Sequence, residues 1–351
     1  QEGEIHGITG TDIRTSVLTS SPMKKLLFSL FCIFLGAGLV TVLILWSIVL
    51  RENVKADEPV RIYLPTGSDF GCLKDTLERN DLLRSMKSFN ITSRLKSFGK
   101  TVKPGSYIIE PGMSNNSLVN MLRSGRQAPV RVTFNNIRTL DELAGKVGMQ
   151  IEADSASLAE FLGDESNYSA DGFDRQTVIS VFIPDTYELY WSVDSRGFYR
   201  RMLKEYRDYW NDDRISMAEN LMLTPAEVSV LASIVDEEAS REDEKPRIAG
   251  LYLNRLSSGM PLQADPTIKF AVNDFTLRRI LNRHLEVDSP YNTYKYAGLP
   301  PGPIRCPSRS GLEAVLNAEE HEYLFMVARF DGSGYHHFSR TLAEHNRYAA
   351  A

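Results

Sequence analysis

Residues 224–238 read TPAEVSVLASIVDEE, and they predict a helix with a sharply defined start. Thr224 is a favourable N-cap, and proline suits the first helical position that Pro225 would occupy. Glu227 stands three residues after Thr224, so the two side chains can complete a capping box. The aliphatic residues that follow have the spacing of a helix that packs against a hydrophobic core.

This helix ends in three consecutive acids, and helical geometry separates them. At 3.6 residues per turn, Glu238 lies about 20° from Leu231 and about 40° from Ile234, in the middle of the apolar face. Glu237 lies at the edge of that face, and Asp236 lies nearly opposite. A carboxyl group among aliphatic side chains loses hydration, which raises its pKa and suits it to general acid catalysis. A frayed, solvated helix end fits the same run of acids equally well, and periodicity alone leaves both interpretations open.

Three irregular segments downstream are rich in proline, amide and tyrosine side chains. They read LQADPT at 262–267, YNTY at 291–294 and GLPPGPI at 298–304. Loops of this composition line clefts, where amides and hydroxyls bind sugar hydroxyls and tyrosine rings stack on sugar faces. Ordinary packing of proline-rich loops explains the composition as well, so the segments alone do not decide the matter.

In their order along the chain, these motifs resemble those of the endolytic murein transglycosylase family, also called MltG or YceG-like. The resemblance covers the apolar segment described below and essentially everything after residue 60. It rests on six motifs in register: LASIVDEE at 231–238, NRL at 254–256, LQADPT at 262–267, YNTY at 291–294, GLPPGPI at 298–304, and HFS at 337–339 followed by LAEHN at 342–346.

The resemblance implies a lytic cut in peptidoglycan between N-acetylmuramic acid and N-acetylglucosamine, which leaves a 1,6-anhydro-muramyl end. It places the catalytic acid at Glu238, the second acid of the family's Glu-x-Glu, where the first acid in this sequence is Asp236. The protonated carboxyl group would protonate the glycosidic oxygen, and the resulting carboxylate would then deprotonate the C6 hydroxyl that closes on the anomeric carbon. A second catalytic carboxylate is not required, unlike in the usual two-acid hydrolase.

We expect the downstream loops to position the substrate. The candidate binding side chains carry amide, carboxylate or hydroxyl groups: Gln263, Asp265, Tyr291, Asn292 and Tyr294. Asp265 precedes a proline and could instead cap the following turn.

The histidines and cysteines predict neither a metal site nor a cofactor site. His336 and His337 are adjacent and would point to opposite faces of a strand, and the sequence contains no His-x3-His or Cys-x2-Cys pair. Cys32 falls in an apolar run, while Cys72 and Cys306 belong to no recognisable catalytic motif. A bridge between the last two cysteines is left open by the sequence.

An uncharged run of 25 residues, Leu26–Leu50, predicts a transmembrane helix. Such a helix spans about 37 Å, which exceeds the roughly 30 Å hydrocarbon core of a bilayer. Lys24 and Lys25 precede it, so the positive-inside rule predicts a cytoplasmic tail at 1–25 and a periplasmic location for the rest of the chain, tethered to the inner membrane. A cleaved signal peptide fits less well because its apolar region is shorter. Met23 is an alternative start of translation.

Outside the membrane we expect an α+β fold with two modules. Strand-like segments at 60–64 and 106–109 and helical segments between them, one marked by Ile91, Leu95 and Phe98, predict a small module over 58–127. The resemblance implies that this module is LysM-like and grips glycan strands. The rest, 128–351, would be the larger catalytic domain that carries the acid on a helix.

Composition excludes several classes of protein. Hydrophobic residues make up 42% of the chain and charged residues 24%, which is typical of globular proteins and not of disordered or polytopic membrane chains. The net charge of -5, from 40 basic and 45 acidic residues, argues against a nucleic-acid-binding surface. We therefore expect peptidoglycan strands as the partner, with peptidoglycan synthases as candidate protein partners. A membrane-tethered scaffold that binds peptidoglycan without cutting it is the alternative.

Overall fold

The structure is a computed structural model that describes residues 22–99 and 102–350. Of the predicted tail 1–25, residues 1–21 lie outside the described residues, and residues 22–25 belong to the first helix. Internal contacts divide the chain into two compact units. The N-terminal unit comprises Gln1–Val60, Asp69–Val102 and Ile109–Ser124, and the C-terminal unit comprises Arg61–Ser68, Lys103–Ile108 and Gly125–Ala351. Residues of the predicted module 58–127 are therefore shared between both units, and its LysM-like character stays a prediction.

Helices dominate the described part of the N-terminal unit: α1 (Pro22–Val49), α2 (Phe70–Arg79), α3 (Met86–Leu95) and α4 (Asn115–Ser124). Within α1, Met23–Val49 is long and apolar enough to cross a membrane. Its most apolar stretch has a mean hydropathy of 2.6, and no part of that stretch is buried. An exposed apolar helix of this length is compatible with the single membrane span that the sequence predicts.

Polar side chains of the same unit hold the C-terminal end of α1. The carbonyl of Ile48 accepts a hydrogen bond of 2.8 Å from Asn115 Nδ2 and one of 3.4 Å from Thr92 Oγ1. These bonds satisfy a carbonyl at the helix end, where internal partners run out. Thr92 thus lies on the buried face of α3, whereas Ile91 and Leu95 are exposed. Apolar spacing located this helix, although Phe98 lies beyond its last residue, Leu95.

The described strands pair into three two-stranded sheets. β1 pairs with β2, β3 pairs antiparallel with β4 so that Val130 lies opposite Leu189, and β5 pairs antiparallel with β6 so that Phe325 lies opposite Ser339. Helices and strands together confirm a mixed helix and sheet fold. The strands are β1 (Val60–Leu64), β2 (Gly105–Ile109), β3 (Val130–Phe134), β4 (Asp185–Leu189), β5 (Phe325–Ala328) and β6 (His336–Ser339).

Helices of the C-terminal unit surround a central one, α9. Its residues Val228 to Val235 are buried on every side, and neighbouring helices α8, α10, α11 and α13 pack against it. The helices are α5 (Leu140–Gly148), α6 (Ser155–Gly163), α7 (Ser195–Tyr209), α8 (Asp212–Asn220), α9 (Pro225–Glu238), α10 (Lys245–Ser257), α11 (Asp265–Ala271), α12 (Asn282–Leu285), α13 (Arg309–Leu316) and α14 (Leu342–Ala349), with 3-10 turns at Glu165–Asn167, Ser169–Asp171, Val178–Val181 and Glu242–Glu244.

The start of α9 follows the sequence signals. Thr224 Oγ1 accepts a hydrogen bond of 3.2 Å from the Glu227 amide, and Glu227 Oε2 accepts one of 2.8 Å from the Thr224 amide. The predicted capping box is therefore confirmed, with Pro225 at the first helical position. The helix continues through Glu238, so the three acids do not form a frayed end.

Candidate active site

Asp236 is the first of the three acids, and it is buried in an ion pair. Its side chain is 3% exposed, and its Oδ1 lies 2.9 Å from Nζ of Lys245, which is equally inaccessible. The backbone amide of Ser308 donates a further hydrogen bond of 2.7 Å to Oδ2. Asp236 therefore ties the end of α9 to the starts of α10 and α13, and its charge is fully compensated.

Glu237 is held between two arginines. Oε1 accepts hydrogen bonds of 2.9 Å from Arg138 Nη2 and 2.9 Å from Arg305 Nη1. Arg305 also donates to the side chain of Asn136, which lies just before α5. These contacts join α9 to the β3–α5 connection and to the proline-rich segment that ends near residue 305.

Glu238 differs from its neighbours because it forms no ion pair with any described residue. Desolvation raises its pKa from 4.5 to about 7, and the nearby negative charge of Asp265 adds to the shift. A hydrogen bond from the hydroxyl of Tyr252 and the positive charge of Lys269 act in the opposite direction. A carboxyl group with this pKa is substantially protonated at neutral pH and can donate a proton.

Glu238 opens into a cavity of about 290 Å³ whose surface is mainly polar. The cavity brings together four of the six predicted site residues, namely Glu238, Gln263, Asp265 and Tyr294. Its remaining wall comes from α10, from the loop that follows it and from the β5–β6 hairpin: Leu251, Tyr252, Arg255, Leu262, Met326, Val327, Ala328 and His336.

Asp265 and Tyr294 form a hydrogen-bonded pair inside this cavity. The Tyr294 hydroxyl donates to Asp265 Oδ1 over 2.6 Å. Burial, together with this bond, raises the pKa of Tyr294, so its phenol stays protonated. Asp265 is the first residue of α11, where a carboxylate is favoured by the helix dipole.

The two loops that carry these residues are joined by Thr293. The Gln263 amide donates to the Thr293 carbonyl over 3.0 Å, and the Ala264 amide donates to Thr293 Oγ1 over 3.0 Å. A third bond of 2.8 Å links Thr293 Oγ1 to Thr267 Oγ1. Gln263 adopts a φ of +54°, a conformation that costs a non-glycine residue free energy. The loops are therefore held in one arrangement by buried polar contacts.

Asn292 and Tyr291 do not line this cavity. Asn292 is fully buried, and its Nδ2 donates to the carbonyls of Leu285 and Val287, each over 2.8 Å. Its Oδ1 accepts from the Tyr294 amide, so the side chain builds the loop. Tyr291 packs its ring 4.6 Å from that of Phe270 and lines a second cavity.

Comparison with known proteins places the chain in a family. Residues 62–351 match the sequence model of the YceG-like family. The chain belongs to the YceG-like family. A Bacillus subtilis protein named endolytic murein transglycosylase is 29% identical over 85% of this chain and 86% of its own length. A protein of the same name from Streptococcus pneumoniae is 28% identical, and this chain spans 60% of its length. A crystal structure of a YceG-like protein from Listeria monocytogenes covers 83% of this chain and 99% of its own, with 26% identity and a TM-score of 0.52.

Several cavity residues of this YceG-like chain were not among the predicted site residues. Tyr252 and Arg255 lie one turn apart on α10, and Arg255 donates hydrogen bonds to the Leu262 carbonyl over 2.8 Å and the Leu324 carbonyl over 2.7 Å. Burial lowers the pKa of the Arg255 guanidinium. The NRL motif at 254–256 contains this arginine, so the sequence did carry a signal for it.

His336 is the least expected wall residue. Its Nδ1 lies 2.7 Å from Oε2 of Glu244, and its backbone amide donates to the other oxygen of the same carboxylate over 2.9 Å. Glu244 is 3% exposed and thus fixes the imidazole and the start of β6 together. The sequence analysis placed His336 on a strand. It did not predict Glu244 as the partner of His336, because the two residues are 92 positions apart in the chain.

The described part of the chain also shows where its candidate metal ligands and cysteines lie. No group of three His, Cys, Asp or Glu side chains there could hold a metal ion. Cys306 is a free, fully buried thiol, and burial raises its pKa.

Proposed function

We propose that this chain is an endolytic murein transglycosylase that cuts peptidoglycan strands between N-acetylmuramic acid and N-acetylglucosamine. The cut leaves 1,6-anhydro-muramyl ends and would terminate the elongation of nascent strands. Membership of the YceG-like family and the names of its relatives support this activity. The observation that carries the proposal is the carboxyl group of Glu238, which forms no ion pair with a described residue and has a pKa of about 7 in a polar cavity.

Glu238 serves first as the acid and then as the base. Its proton goes to the glycosidic oxygen as the bond to the muramyl anomeric carbon breaks. The carboxylate that remains takes the proton of the C6 hydroxyl, whose oxygen closes on the same carbon. Because the nucleophile belongs to the substrate, its effective concentration is high. A pKa near 7 suits a group that must both give and take a proton.

Gln263, Asp265 and Tyr294 position the muramyl residue in this proposal. The Asp265 carboxylate also faces the region where positive charge develops on the sugar ring, so it favours the transition state electrostatically. Thr293 and Asn292 act indirectly. Their side chains accept hydrogen bonds from backbone amides of the two loops and do not line the cavity.

The apolar helix α1 tethers this activity to a membrane in the proposal. Lys24 and Lys25 favour a cytoplasmic N-terminus, which puts the catalytic domain in the periplasm beside newly made glycan strands. The module 58–127 would be LysM-like and grip the strand while the domain 128–351 cuts it. Peptidoglycan synthases, which make the substrate, are the candidate protein partners.

Digestion of purified glycan strands tests the activity. The full chain in detergent should release fragments whose masses show anhydro-muramyl ends, and Glu238→Gln should reduce the rate at least about a thousandfold because the proton donor is lost. Glu227→Gln is a matched control, since that acid caps the other end of the same helix. Reducing ends in place of anhydro ends would indicate hydrolysis. Binding without any cleavage would indicate the scaffold.

A further inference from the structure

We propose that the second cavity, beside Tyr291, is a subsite for a neutral amino sugar of the same glycan strand, beyond the sugars at the cut. It has a volume of about 330 Å³ and lies wholly within the C-terminal unit. This inference rests on the proposed function, because it extends the groove in which Glu238 acts.

Two structural elements contribute one residue to each cavity. On α11, Asp265 lines the catalytic cavity and Phe270 the second one, about 7.5 Å further along the helix axis. In the loop that Thr293 anchors, Tyr294 lines the catalytic cavity, and Tyr291 lines the second. The two cavities have no lining residue in common, but both lie beside α11 and beside the loop that Thr293 anchors.

The end of α9 provides the third link. Glu238 faces the catalytic cavity, while its neighbour Glu237 holds Arg138, a wall residue of the second cavity, through bonds of 2.9 and 3.0 Å. A strand that places its scissile bond at Glu238 would therefore pass close to Arg138. A groove that continues in this way fits a polymeric substrate.

The lining of the second cavity suits a sugar ring. Phe270 and Tyr291 are half-buried aromatic rings 4.6 Å apart, which offer an apolar surface to the face of a pyranose. Arg175 and Gln176 are exposed at the edge of the cavity, where their side chains can donate hydrogen bonds to hydroxyl and acetamido groups.

The charges at the cavity are partly balanced. Arg138 shares the carboxylate of Glu237 with Arg305, so this group keeps one positive charge. Arg175 forms no salt bridge with a described residue, and Asp141 lines the same cavity. The paired aromatic rings, which suit the neutral face of a sugar, favour the amino sugar over the acidic stem peptide.

Binding of graded glycan fragments tests the subsite. The full chain in detergent, carrying Glu238→Gln to prevent cleavage, is titrated with peptide-free glycan oligosaccharides of increasing length. Adding Arg175→Ala should weaken the binding of long fragments about tenfold, because a hydrogen bond from a charged group is lost. Fragments too short to leave the catalytic cavity should bind with unchanged affinity. Arg175 is exposed, so its replacement should not disturb folding.

Arg200→Ala is the matched control, since Arg200 is exposed on α7 and does not line either cavity. If Arg175→Ala binds long fragments with unchanged affinity, the subsite proposal is overturned. It is also overturned if the variant loses as much affinity for short fragments as for long ones. A loss seen only with peptide-bearing strands would assign the cavity to the stem peptide and overturn the proposal as well. Because binding is measured without turnover, failure of the cleavage reaction leaves this test intact.

Discussion

At the level of single residues, the candidate catalytic acid differs from the two acids before it because it forms no ion pair with a described residue. Burial does not distinguish the three acids. Asp236 is almost as inaccessible as the core, yet Lys245 compensates its charge, and Glu237 is compensated by two arginines. Glu238 forms no ion pair within the described part of the chain, and the Tyr252 hydroxyl donates a hydrogen bond to it. Helical spacing selected the same residue from orientation alone and placed Asp236 nearly opposite the apolar face. It did not predict the buried pair of Asp236 with Lys245, because that contact comes from a helix that packs on the other side of α9.

The surroundings of Glu238 predict how the pH dependence of the reaction responds to substitution. The protonated form is the acid, so kcat/KM should fall as the pH rises through about 7. Asp265→Asn removes a like charge that raises the pKa, so this fall should move to lower pH. Tyr252→Phe removes a hydrogen bond that lowers the pKa, so the fall should move to higher pH. The measurement is kcat/KM for purified glycan strands from pH 4 to 9.

Opposite shifts of the two variants identify Glu238 as the titrating group. Both variants can lose activity at the optimum without affecting this test, because the position of the pH limb is compared and not its height. Shifts in the same direction, or a limb near pH 4 in the unaltered chain, would contradict the role of desolvation.

At the level of elements, local signals predicted more than distant ones. The capping box of α9, the strand Val60–Leu64 and the loops at 262–267 and 291–294 are all visible in the sequence, since each depends on neighbouring residues. The pairs Glu244–His336 and Gln263–Thr293 join segments far apart in the chain, and no periodicity announces them.

The contact between α10 and the segment after α13 is tight enough to predict the effect of one methyl group. A Cβ atom at Gly250 would lie 2.3 Å from the Glu319 carbonyl oxygen and 2.9 Å from His321 Nε2. Gly250→Ala should therefore lower the free energy of unfolding by about 1–3 kcal/mol and displace α10. Since α10 carries Tyr252 and Arg255, cleavage activity should fall as well.

Gly145→Ala provides the control for this substitution. Gly145 lies inside α5, and no atom stands within 4 Å of the position its Cβ would take. This variant should gain roughly 0.5–1 kcal/mol from helix propensity. Urea unfolding of both variants in the same detergent gives the comparison. Equal stabilities would show that α10 can move away without cost.

At the level of the whole molecule, the charges of the chain are distributed along it unevenly. Residues 1–50 hold three acidic and three basic side chains, so the remaining residues carry the entire net charge of -5. A negatively charged domain is repelled by an anionic lipid surface. In the proposed arrangement α1 provides the attachment to the membrane, and the rest of the chain stays free to engage glycan strands.

This arrangement predicts a defined orientation in the membrane. A phosphatase that is active only in the periplasm, fused after residue 350, should be active, because Lys24 and Lys25 hold the N-terminus in the cytoplasm. Replacing both lysines by glutamate should lower that activity several-fold, since the positive flank that sets the orientation is lost. The control replaces Lys87 and Arg94 by glutamate, an equal change of charge at exposed positions beyond the apolar helix. An inactive phosphatase in the unaltered chain would refute the proposed orientation. If the control loses as much phosphatase activity as the variant at Lys24 and Lys25, the orientation does not depend on the charge of that flank.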